Sequence, residues 1–481
     1  MVPHLIAAMK SPLILAFLLL GPGAVAADAP AAPVGNEHAM STSYVPPTDP
    51  LVQAKLKWWR GLKFGLLMHW GTYSQWGIVE SWSICPEDEG WCQRRGPKAA
   101  DYFAYRTAYE KLQTTFNPVR FNPAKWAGAA KEAGMRYVVF TTKHHDGFCM
   151  FDTALTDYKI TSARCPFHTH SRSNITREVF NAFRTNGLGI GAYFSKPDWH
   201  SPHYWWPYFP PKDRNPNYDL KRYPQRWQDF KQFTWKQIEE LMTGYGSIDI
   251  LWLDGGQVRP PQQDIDMTGL AAMARTHQPG LLVVDRTVSG ENENYCTPEN
   301  EVPGQLLPYP WETCMPMATS WSHVPHDPYK SPGTLVRHLC RIVARGGCLL
   351  LNIGPRKDGE WDDDAYARLK AIGAWMKING EAIYETEPVK PYERGDLVFT
   401  SKSDGTVYAL VLAHDDQSGL PESITLPAEI AARTGHIALL GGGDLNAVPA
   451  ADGGLTVNFP PDLRAKPPTA HAWVLKLTAG R

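Results

Sequence analysis

Short apolar runs that end in polar residues recur between residues 64 and 353. The clearest lies in 246–257, where apolar residues 250–253 lead directly into Asp254-Gly255-Gly256. A continuous apolar run bounded by glycine predicts a buried strand of a parallel sheet. Asp254 falls where that strand ends, and the glycines allow a sharp turn that leaves its carboxylate accessible. From this stretch alone, a presented catalytic carboxylate and an ordinary turn aspartate both stay open.

The same pattern repeats, with segments of helical periodicity between the apolar runs. Strands are predicted over 64–69, 137–142, 188–194, 248–253, 281–286 and 348–353, and helices over 122–134, 177–186, 225–243, 265–276, 333–344 and 363–378. Strands that alternate with helices predict βαβ units and a parallel sheet. Because polar residues stand at several strand ends, the pattern favours an α/β (β/α)8-like (TIM) barrel over an open sheet.

The pattern changes between residues 384 and 392. Two apolar runs within 396–413 are joined by Ser403-Asp404-Gly405, which predicts a hairpin, and further strand-like runs cover 436–440, 455–459 and 471–477. We therefore predict a (β/α)8-like catalytic domain over 51–388 and an all-β sandwich domain over 389–481.

The N-terminus has the order of residues of a secretory signal peptide. Lys10 precedes the apolar run 13–20, and Gly21-Pro22-Gly23 and the small residues 24–26 follow. We predict a signal peptide over 1–26, an exported protein and a flexible segment rich in alanine and proline over 27–50. Export permits disulfides, and Cys85 with Cys92 is the best candidate pair among eight cysteines. The alternative is that most cysteines are reduced and buried.

Composition excludes several classes of partner. The formal net charge of −1 gives no electrostatic basis for binding nucleic acid. No run after the signal peptide is long enough to span a membrane. The chain contains neither a glycine-rich dinucleotide fingerprint nor a P-loop, so no nucleotide cofactor is expected.

The predicted strand ends collect imidazoles, aromatic rings and carboxylates. Three kinds of site fit this set: a metal site, a non-catalytic sugar-binding site and a glycosidase site. A metal is disfavoured because neighbouring histidines on a strand point in opposite directions and no ligand spacing supports a cage. Paired carboxylates are unnecessary in a sugar-binding module, whereas glycoside hydrolysis requires two of them. The residues concerned are His69, Trp70, His144, His145, Tyr193, Asp254, Arg286 and the glutamates of 291–301 and 311–312.

Five motifs in order resemble the alpha-L-fucosidases of glycoside hydrolase family 29. They are His69-Trp70-Gly71, Lys143-His144-His145-Asp146-Gly147-Phe148, Trp252-Leu253-Asp254-Gly255, Trp311-Glu312, and Asn352-Ile353-Gly354-Pro355 with Asp358-Gly359. The resemblance covers residues 64–359 and implies a (β/α)8-like barrel followed by a β-sandwich. It also implies exo-acting, retaining hydrolysis of terminal alpha-L-fucose from a fucosylated glycan, without a metal or cofactor. A retaining glycosidase for another sugar and a fucose-binding lectin remain the alternatives.

The resemblance also implies the roles of individual residues. Asp254 matches the nucleophile, and Trp321 matches an aromatic that packs on the fucose methyl group. The other matched sugar-binding positions are His69, His144, His145, Tyr193 and Arg286.

Two positions depart from the family pattern or leave a choice. An acidic residue often stands directly before an aromatic in the loop after the first strand, but here Ser81 separates Glu80 from Trp82. Both are assigned to the sugar pocket. The acid/base is assigned to Glu299, with Glu312 as the alternative. The glutamate that is not the acid/base is expected to be a structural carboxylate on the barrel rim.

Overall fold

The computed structural model describes residues 43–87, 93–414 and 419–479. The predicted signal peptide, most of the predicted flexible segment and Cys92 lie outside these ranges. The predicted Cys85–Cys92 pair is therefore not described.

A parallel sheet forms the centre of the larger part of the molecule. Its seven strands follow the order β5-β4-β3-β2-β1-β7-β6, and all neighbouring pairs are parallel. The strands are β1 Phe64–Met68, β2 Tyr137–Lys143, β3 Gly189–Ser195, β4 Ile250–Asp254, β5 Leu282–Asp285, β6 Glu312–Pro316 and β7 Cys348–Asn352. Sequence analysis predicted six of these strands and missed β6, whose polar and proline residues hide the apolar signature.

Residues 292–300, here called the bridging segment, lie between β5 and β6 and close the sheet. Near its start, the backbone N–H of Asn294 donates to Val283 of β5. Further along, Cys296 forms a parallel bridge with Trp311, and Glu299 forms one with Cys314 of β6. These hydrogen bonds satisfy the two sheet edges, and the result is the predicted (β/α)8-like barrel with an irregular wall at this position.

Helices surround the barrel and cover one end. They are α1 Pro50–Leu62, α2 Tyr102–Glu110, α3 Pro123–Glu132, α4 Ile175–Thr185, α5 Pro224–Gly244, α6 Met267–His277, α7 Pro332–Ala344 and α8 Asp363–Asn379. Asn122 caps the N-terminus of α3, since its side chain accepts a hydrogen bond from the backbone N–H of Lys125. Within the described ranges, no helix is both long and apolar enough to cross a membrane.

Side chains alternate between the two faces of the barrel wall. Those pointing inward form a separate apolar cluster with Trp59 of α1, whose ring stacks on Tyr295 at 3.9 Å. Helix α1 therefore closes the barrel at the amino ends of the strands. The carboxyl ends, where the active sites of such barrels lie, stay open to the loops. The inward cluster includes Leu67, Tyr137, Val139, Tyr193, Ile250, Trp252, Leu282, Val284, Cys314 and Leu350.

The C-terminal part consists of two antiparallel sheets, as predicted. A six-stranded sheet has the order β13-β12-β16-β10-β9-β8, and a three-stranded sheet has the order β11-β15-β14. The strands are β8 Glu387–Arg394, β9 Leu397–Ser401, β10 Val407–Leu412, β11 Ser423–Leu426, β12 His436–Leu439, β13 Gly443–Asp444, β14 Ala447–Pro449, β15 Leu455–Asn458 and β16 Ala472–Thr478, with short helices α9 Ala428–Ala431 and α10 Pro461–Ala465. One apolar cluster joins residues of both sheets, which is the packing expected of a sandwich.

The large sheet of the sandwich also packs against the barrel. Val398, Leu410 and Val474 belong to the same apolar cluster as the helices around the barrel. The indole N–H of Trp375 in α8 donates to the backbone carbonyl of Ala472 at 2.8 Å. The seven cysteines within the described ranges are buried and form no disulfide with one another. For the six other than Cys85, this agrees with the alternative of reduced, buried thiols.

Candidate active site

Asp254 ends β4 and carries the most strongly held carboxylate of the barrel mouth. Its Oδ2 accepts a hydrogen bond from the Tyr193 hydroxyl at 2.7 Å, and its Oδ1 accepts one from Arg286 Nη1 at 2.9 Å. The side chain of Asp254 is 17% exposed, so a ligand in the pocket can contact it. The structure therefore brings Asp254, Tyr193 and Arg286 together from three neighbouring strand ends.

The surroundings of Asp254 keep it ionised. Burial alone would raise the pKa of its carboxyl group. The charge of Arg286 and the hydrogen bond from Tyr193 outweigh burial, so this pKa lies well below its ordinary value. At neutral pH the group is a carboxylate whose two oxygens are oriented by fixed donors.

Arg286 links Asp254 to Glu299. Its Nη2 donates to Glu299 Oε2 at 2.8 Å, and its Nε donates to Thr297 Oγ1 at 3.0 Å. Glu299 and Thr297 belong to the bridging segment, which explains how a segment outside the seven strands enters the site. One planar guanidinium thus sets the relative position of the two carboxylates.

In His69 and His145, Nδ1 is hydrogen-bonded within the protein and leaves Nε2 for a ligand, and the Nε2 of His145 lies 3.8 Å from Asp254 Oδ2. The side-chain oxygen of Asn352 accepts hydrogen bonds from both the backbone N–H and the Nδ1 of His69, at 3.1 Å and 3.0 Å. The Ser195 hydroxyl donates to Pro197, so it accepts from His145 Nδ1 at 2.6 Å. Burial lowers the pKa of both imidazoles to about 4. At neutral pH each ring is therefore neutral, with Nε2 as a hydrogen-bond acceptor.

His144 and His145 lie on the same side, which corrects the sequence-based argument against a metal. Strand β2 ends at Lys143, so the alternation of a strand does not extend to these residues, and their ring centroids are 4.2 Å apart. Ligand atoms of His144, His145 and Asp254 lie within 4.8 Å of one another. The guanidinium of Arg286 beside Asp254 opposes a divalent cation at this place by charge repulsion.

Glu80 and Trp82 reach the pocket from the loop after β1. The Glu80 carboxylate accepts a hydrogen bond from the backbone N–H of Ser322 at 2.8 Å, and its φ of 22° is rare for a residue with a side chain. Burial, together with the charges of Glu299 and Asp254, raises the pKa of Glu80 to about 8. The Trp82 ring lies edge-on to His145 at 5.1 Å. The intervening Ser81 has its own function, because its hydroxyl hydrogen bonds to His144.

Trp321 lies at the other side of the pocket, half-buried. Its ring is 5.3 Å from that of His69, and its backbone carbonyl accepts a hydrogen bond from the Asn352 side chain. Asn352 therefore orients two predicted sugar-binding residues at once. The placement puts the Trp321 ring beside His69, at the side of the pocket opposite Trp82.

Glu312 is the one assigned residue that does not join this group at the mouth. It begins β6, is fully buried, and accepts hydrogen bonds from the Tyr137 hydroxyl and the Trp252 indole at 2.5 Å and 3.2 Å. Strand β6 runs from Glu312 towards the mouth, so its first residue lies at the closed end. A position on the barrel rim therefore does not apply to Glu312, and the choice between Glu299 and Glu312 as acid/base stays a prediction.

Sequence reasoning also missed Trp252. Its ring lies 4.4 Å from the Arg286 guanidinium and stacks on Tyr193 at 5.2 Å. Trp252 stands two residues before Asp254, and the two-residue period of a strand places both on the inward face. That period was the available indication that Trp252 forms the floor of the site.

Comparison with known proteins gives the family. The Alpha-L-fucosidase family profile matches residues 32–381, and the profile of the Alpha-L-fucosidase C-terminal domain matches residues 391–478. The human plasma alpha-L-fucosidase is 28% identical over 442 residues, which cover 88% of this chain and 89% of that protein.

Solved structures agree with the sequence comparison. Alpha-L-fucosidase isoenzyme 1 from Paenibacillus thiaminolyticus is 30% identical with a TM-score of 0.73, over 90% of this chain and all of that one. The Thermotoga maritima alpha-fucosidase in complex with fucose is 25% identical with a TM-score of 0.69, again over 90% and 100%. By its sequence profile and its fold, this chain belongs to the alpha-L-fucosidase family.

Proposed function

We propose that the protein is an exo-acting alpha-L-fucosidase that hydrolyses terminal alpha-L-fucose from glycans with retention of configuration. The observation that carries the proposal is the pair of carboxylates, Asp254 and Glu299, held by one arginine in a pocket lined with neutral imidazoles. Membership of the alpha-L-fucosidase family indicates fucose as the sugar that is released. No metal or cofactor is part of the proposal.

In the first step, the Asp254 carboxylate attacks the anomeric carbon of fucose and forms a covalent ester. The bond from that carbon to the glycosidic oxygen breaks, and Glu299 gives its proton to the departing oxygen. In the second step, the Glu299 carboxylate takes a proton from water, which attacks the same carbon and releases Asp254. Two inversions at one carbon give overall retention.

The ion pair at Glu299 sets a condition on this mechanism. Without substrate, Glu299 Oε2 accepts a hydrogen bond from Arg286 Nη2 at 2.8 Å. To act as an acid, it must exchange this partner for the glycosidic oxygen when the substrate enters. The retaining mechanism needs about 5–5.5 Å between the carboxyl groups, a distance that is compatible with two groups on one guanidinium.

Burial of the pocket walls supports exo action. Tyr193 is fully buried, and His69, His144 and His145 are 6%, 3% and 3% exposed. A site closed by these side chains and by the Trp252 floor accepts the end of a chain rather than its middle. The terminal sugar would therefore enter and the rest of the glycan would stay outside.

Recognition of fucose follows from the polarity of the lining. The Nε2 atoms of His69 and His145 accept hydrogen bonds from sugar hydroxyls, and a protonated Glu80 can donate one. Trp321 offers an apolar face to the methyl group that distinguishes fucose from galactose. Export remains part of the proposal, and it agrees with the plasma origin of the human relative.

Turnover of an aryl alpha-L-fucoside, compared with the aryl galactoside and glucoside, tests the proposal. We expect fucoside hydrolysis to dominate and to be inhibited by a fucose-shaped iminosugar but not by a glucose-shaped one. Preference for another glycoside would favour the alternative glycosidase, and fucose binding without turnover would favour a lectin. Folded protein that hydrolyses no aryl or natural fucoside would refute the proposal.

A further inference from the structure

Glu312 is a buried carboxylate that the proposed reaction does not use. It has no exposed surface and lies among the inward-pointing side chains of the barrel, below the sugar pocket. Its two oxygens accept hydrogen bonds from Tyr137 and Trp252, which come from two other strands. Burying a carboxyl group away from water is costly unless it is hydrogen-bonded, so a buried glutamate at this place requires an explanation.

The contact with Trp252 connects Glu312 to the reacting groups. The Arg286 guanidinium lies 4.4 Å from the centre of the Trp252 ring. Tyr193 stacks on the same ring at 5.2 Å, with an interplanar angle of 28°. Arg286 and Tyr193 are the two donors to the Asp254 carboxylate. Both donors therefore rest on a single ring, and Glu312 holds the edge of that ring.

We propose, on the basis of the proposed function, that Glu312 is a positioning residue for Asp254, acting through the Trp252 ring on Arg286 and Tyr193. The hydrogen bond from the indole to Glu312 fixes the rotation of the ring about its side-chain bonds. Burial raises the pKa of Glu312 to about 7. In its ionised form, Glu312 also draws positive charge to the indole N–H, which makes the ring face richer in electrons and strengthens its attraction to the guanidinium.

Both ends of this chain of contacts are surrounded by further titratable groups. The titratable groups that affect the pKa of Glu312 are Tyr137, Tyr295 and Arg286. The hydroxyl of Tyr295 is near the Glu312 carboxyl group but does not meet hydrogen-bond geometry. The groups that lower the pKa of Asp254 are Arg286, His145, Tyr193 and His144. The charge of Asp254 in turn raises the pKa of His69 and of Glu80. A change at Glu312 reaches Asp254 mainly through Arg286, which belongs to both sets.

The test uses Glu312→Gln, which keeps the shape and one acceptor oxygen but removes the charge. We expect kcat on an aryl alpha-L-fucoside to fall about tenfold or more, with KM nearly unchanged. A loss of this size is typical when a residue that orients a metal ligand through a hydrogen bond is replaced. The acidic limb of the kcat/KM profile should move to higher pH, because a less firmly held Arg286 stabilises the Asp254 carboxylate less. Tyr137→Phe should shift the limb in the same direction by a smaller amount.

Glu393→Gln serves as the matched control. Glu393 accepts hydrogen bonds from Arg341 and Arg345 where the sandwich meets the barrel helices. This variant should lower thermal stability but leave kcat and the pH profile of the folded fraction unchanged. It separates the effect of losing a half-buried glutamate charge from the effect of losing Glu312.

Several outcomes would overturn the inference. Unchanged kcat and an unchanged acidic limb in Glu312→Gln would reduce Glu312 to a structural role, and if that variant does not fold, the same result in Tyr137→Phe decides. Azide rescue with retained configuration in a Glu312 variant would instead make Glu312 the acid/base. Failure of the wild-type protein to hydrolyse the fucoside would overturn the proposed function and this inference together, whereas an active wild type with unaffected variants overturns this inference alone.

Discussion

Arg286 is the residue on which the geometry of the site depends. It donates to Asp254, Glu299 and Thr297 through three different nitrogens, and its own pKa is raised by Asp254 despite burial, so it stays charged. An arginine can make these bonds together because its nitrogens form a planar fork. The same residue therefore controls the charge of Asp254 and the spacing of the two carboxylates.

Replacing Arg286 by lysine should show this control. Lysine keeps the charge but lacks the planar fork that fixes both carboxylates, so we expect kcat/KM on an aryl fucoside to fall about 10²–10³-fold, as when one fixed donor is lost from an oxyanion hole. The acidic limb of the kcat/KM profile should also move to higher pH. Activity requires the ionised form of Asp254, and Arg286 lowers the pKa of this group in the folded protein. A pH profile identical to wild type would contradict this account of Arg286.

Trp321 provides the test of sugar recognition at the same scale. Trp321→Ala should weaken selectivity for fucose over galactose by about 1–3 kcal/mol, because the ring no longer packs on the methyl group. Competitive inhibition by the two free sugars measures the difference. Equal weakening for both sugars would show that Trp321 only supports His69.

At the scale of elements, sequence reasoning was strongest where a strand shows its period and ends in a turn. It therefore found Asp254 and the order of helices and strands, and the family resemblance assigned Tyr193, Arg286 and the histidines. It could not foresee that the bridging segment enters the barrel wall, because its bonds to β5 and β6 are tertiary and its residues lack an apolar run. Placing Glu312 at the closed end required the direction of β6.

Asn294 anchors the bridging segment and allows a test of its importance. Its buried side-chain oxygen accepts hydrogen bonds from the backbone of Val283 and from Arg275. Asn294→Ala should lower the free energy of unfolding by about 1–3 kcal/mol, because the N–H of Val283 loses a partner in a buried place. Urea unfolding measures this change. Asn292→Ala, which removes a half-buried side chain with one long hydrogen bond to Thr268 from the same segment, should have a much smaller effect.

At the scale of the whole molecule, the described part of the sandwich supports the barrel and places no side chain beside Asp254 or Glu299. Its large sheet completes the apolar cluster around α7 and α8, and Trp375 hydrogen bonds to it. The pocket residues all come from the strand ends and loops of the barrel. We therefore expect the two parts to depend on each other for folding but not for chemistry.

Asp444→Asn and Asp396→Asn test this division. Both aspartates lie in the sandwich and pair with exposed histidines, His436 and His414. Exposed pairs contribute little to stability, about 0–1 kcal/mol, so both variants should fold. The rate per folded molecule should equal that of the wild type. A large loss of kcat in a folded variant would show that the sandwich takes part in the reaction.

The role of Asp254 is tested most directly by azide rescue of Asp254→Ala, with the configuration of the product read by NMR. Asp254 lies at a strand end and is not part of the apolar packing, so the variant should fold and lose nearly all activity. Azide should then restore turnover of an activated fucoside and give fucosyl azide of inverted configuration, because it attacks from the side that the carboxylate has vacated. Retained configuration, or full activity without azide, would contradict the assignment of Asp254 as the nucleophile.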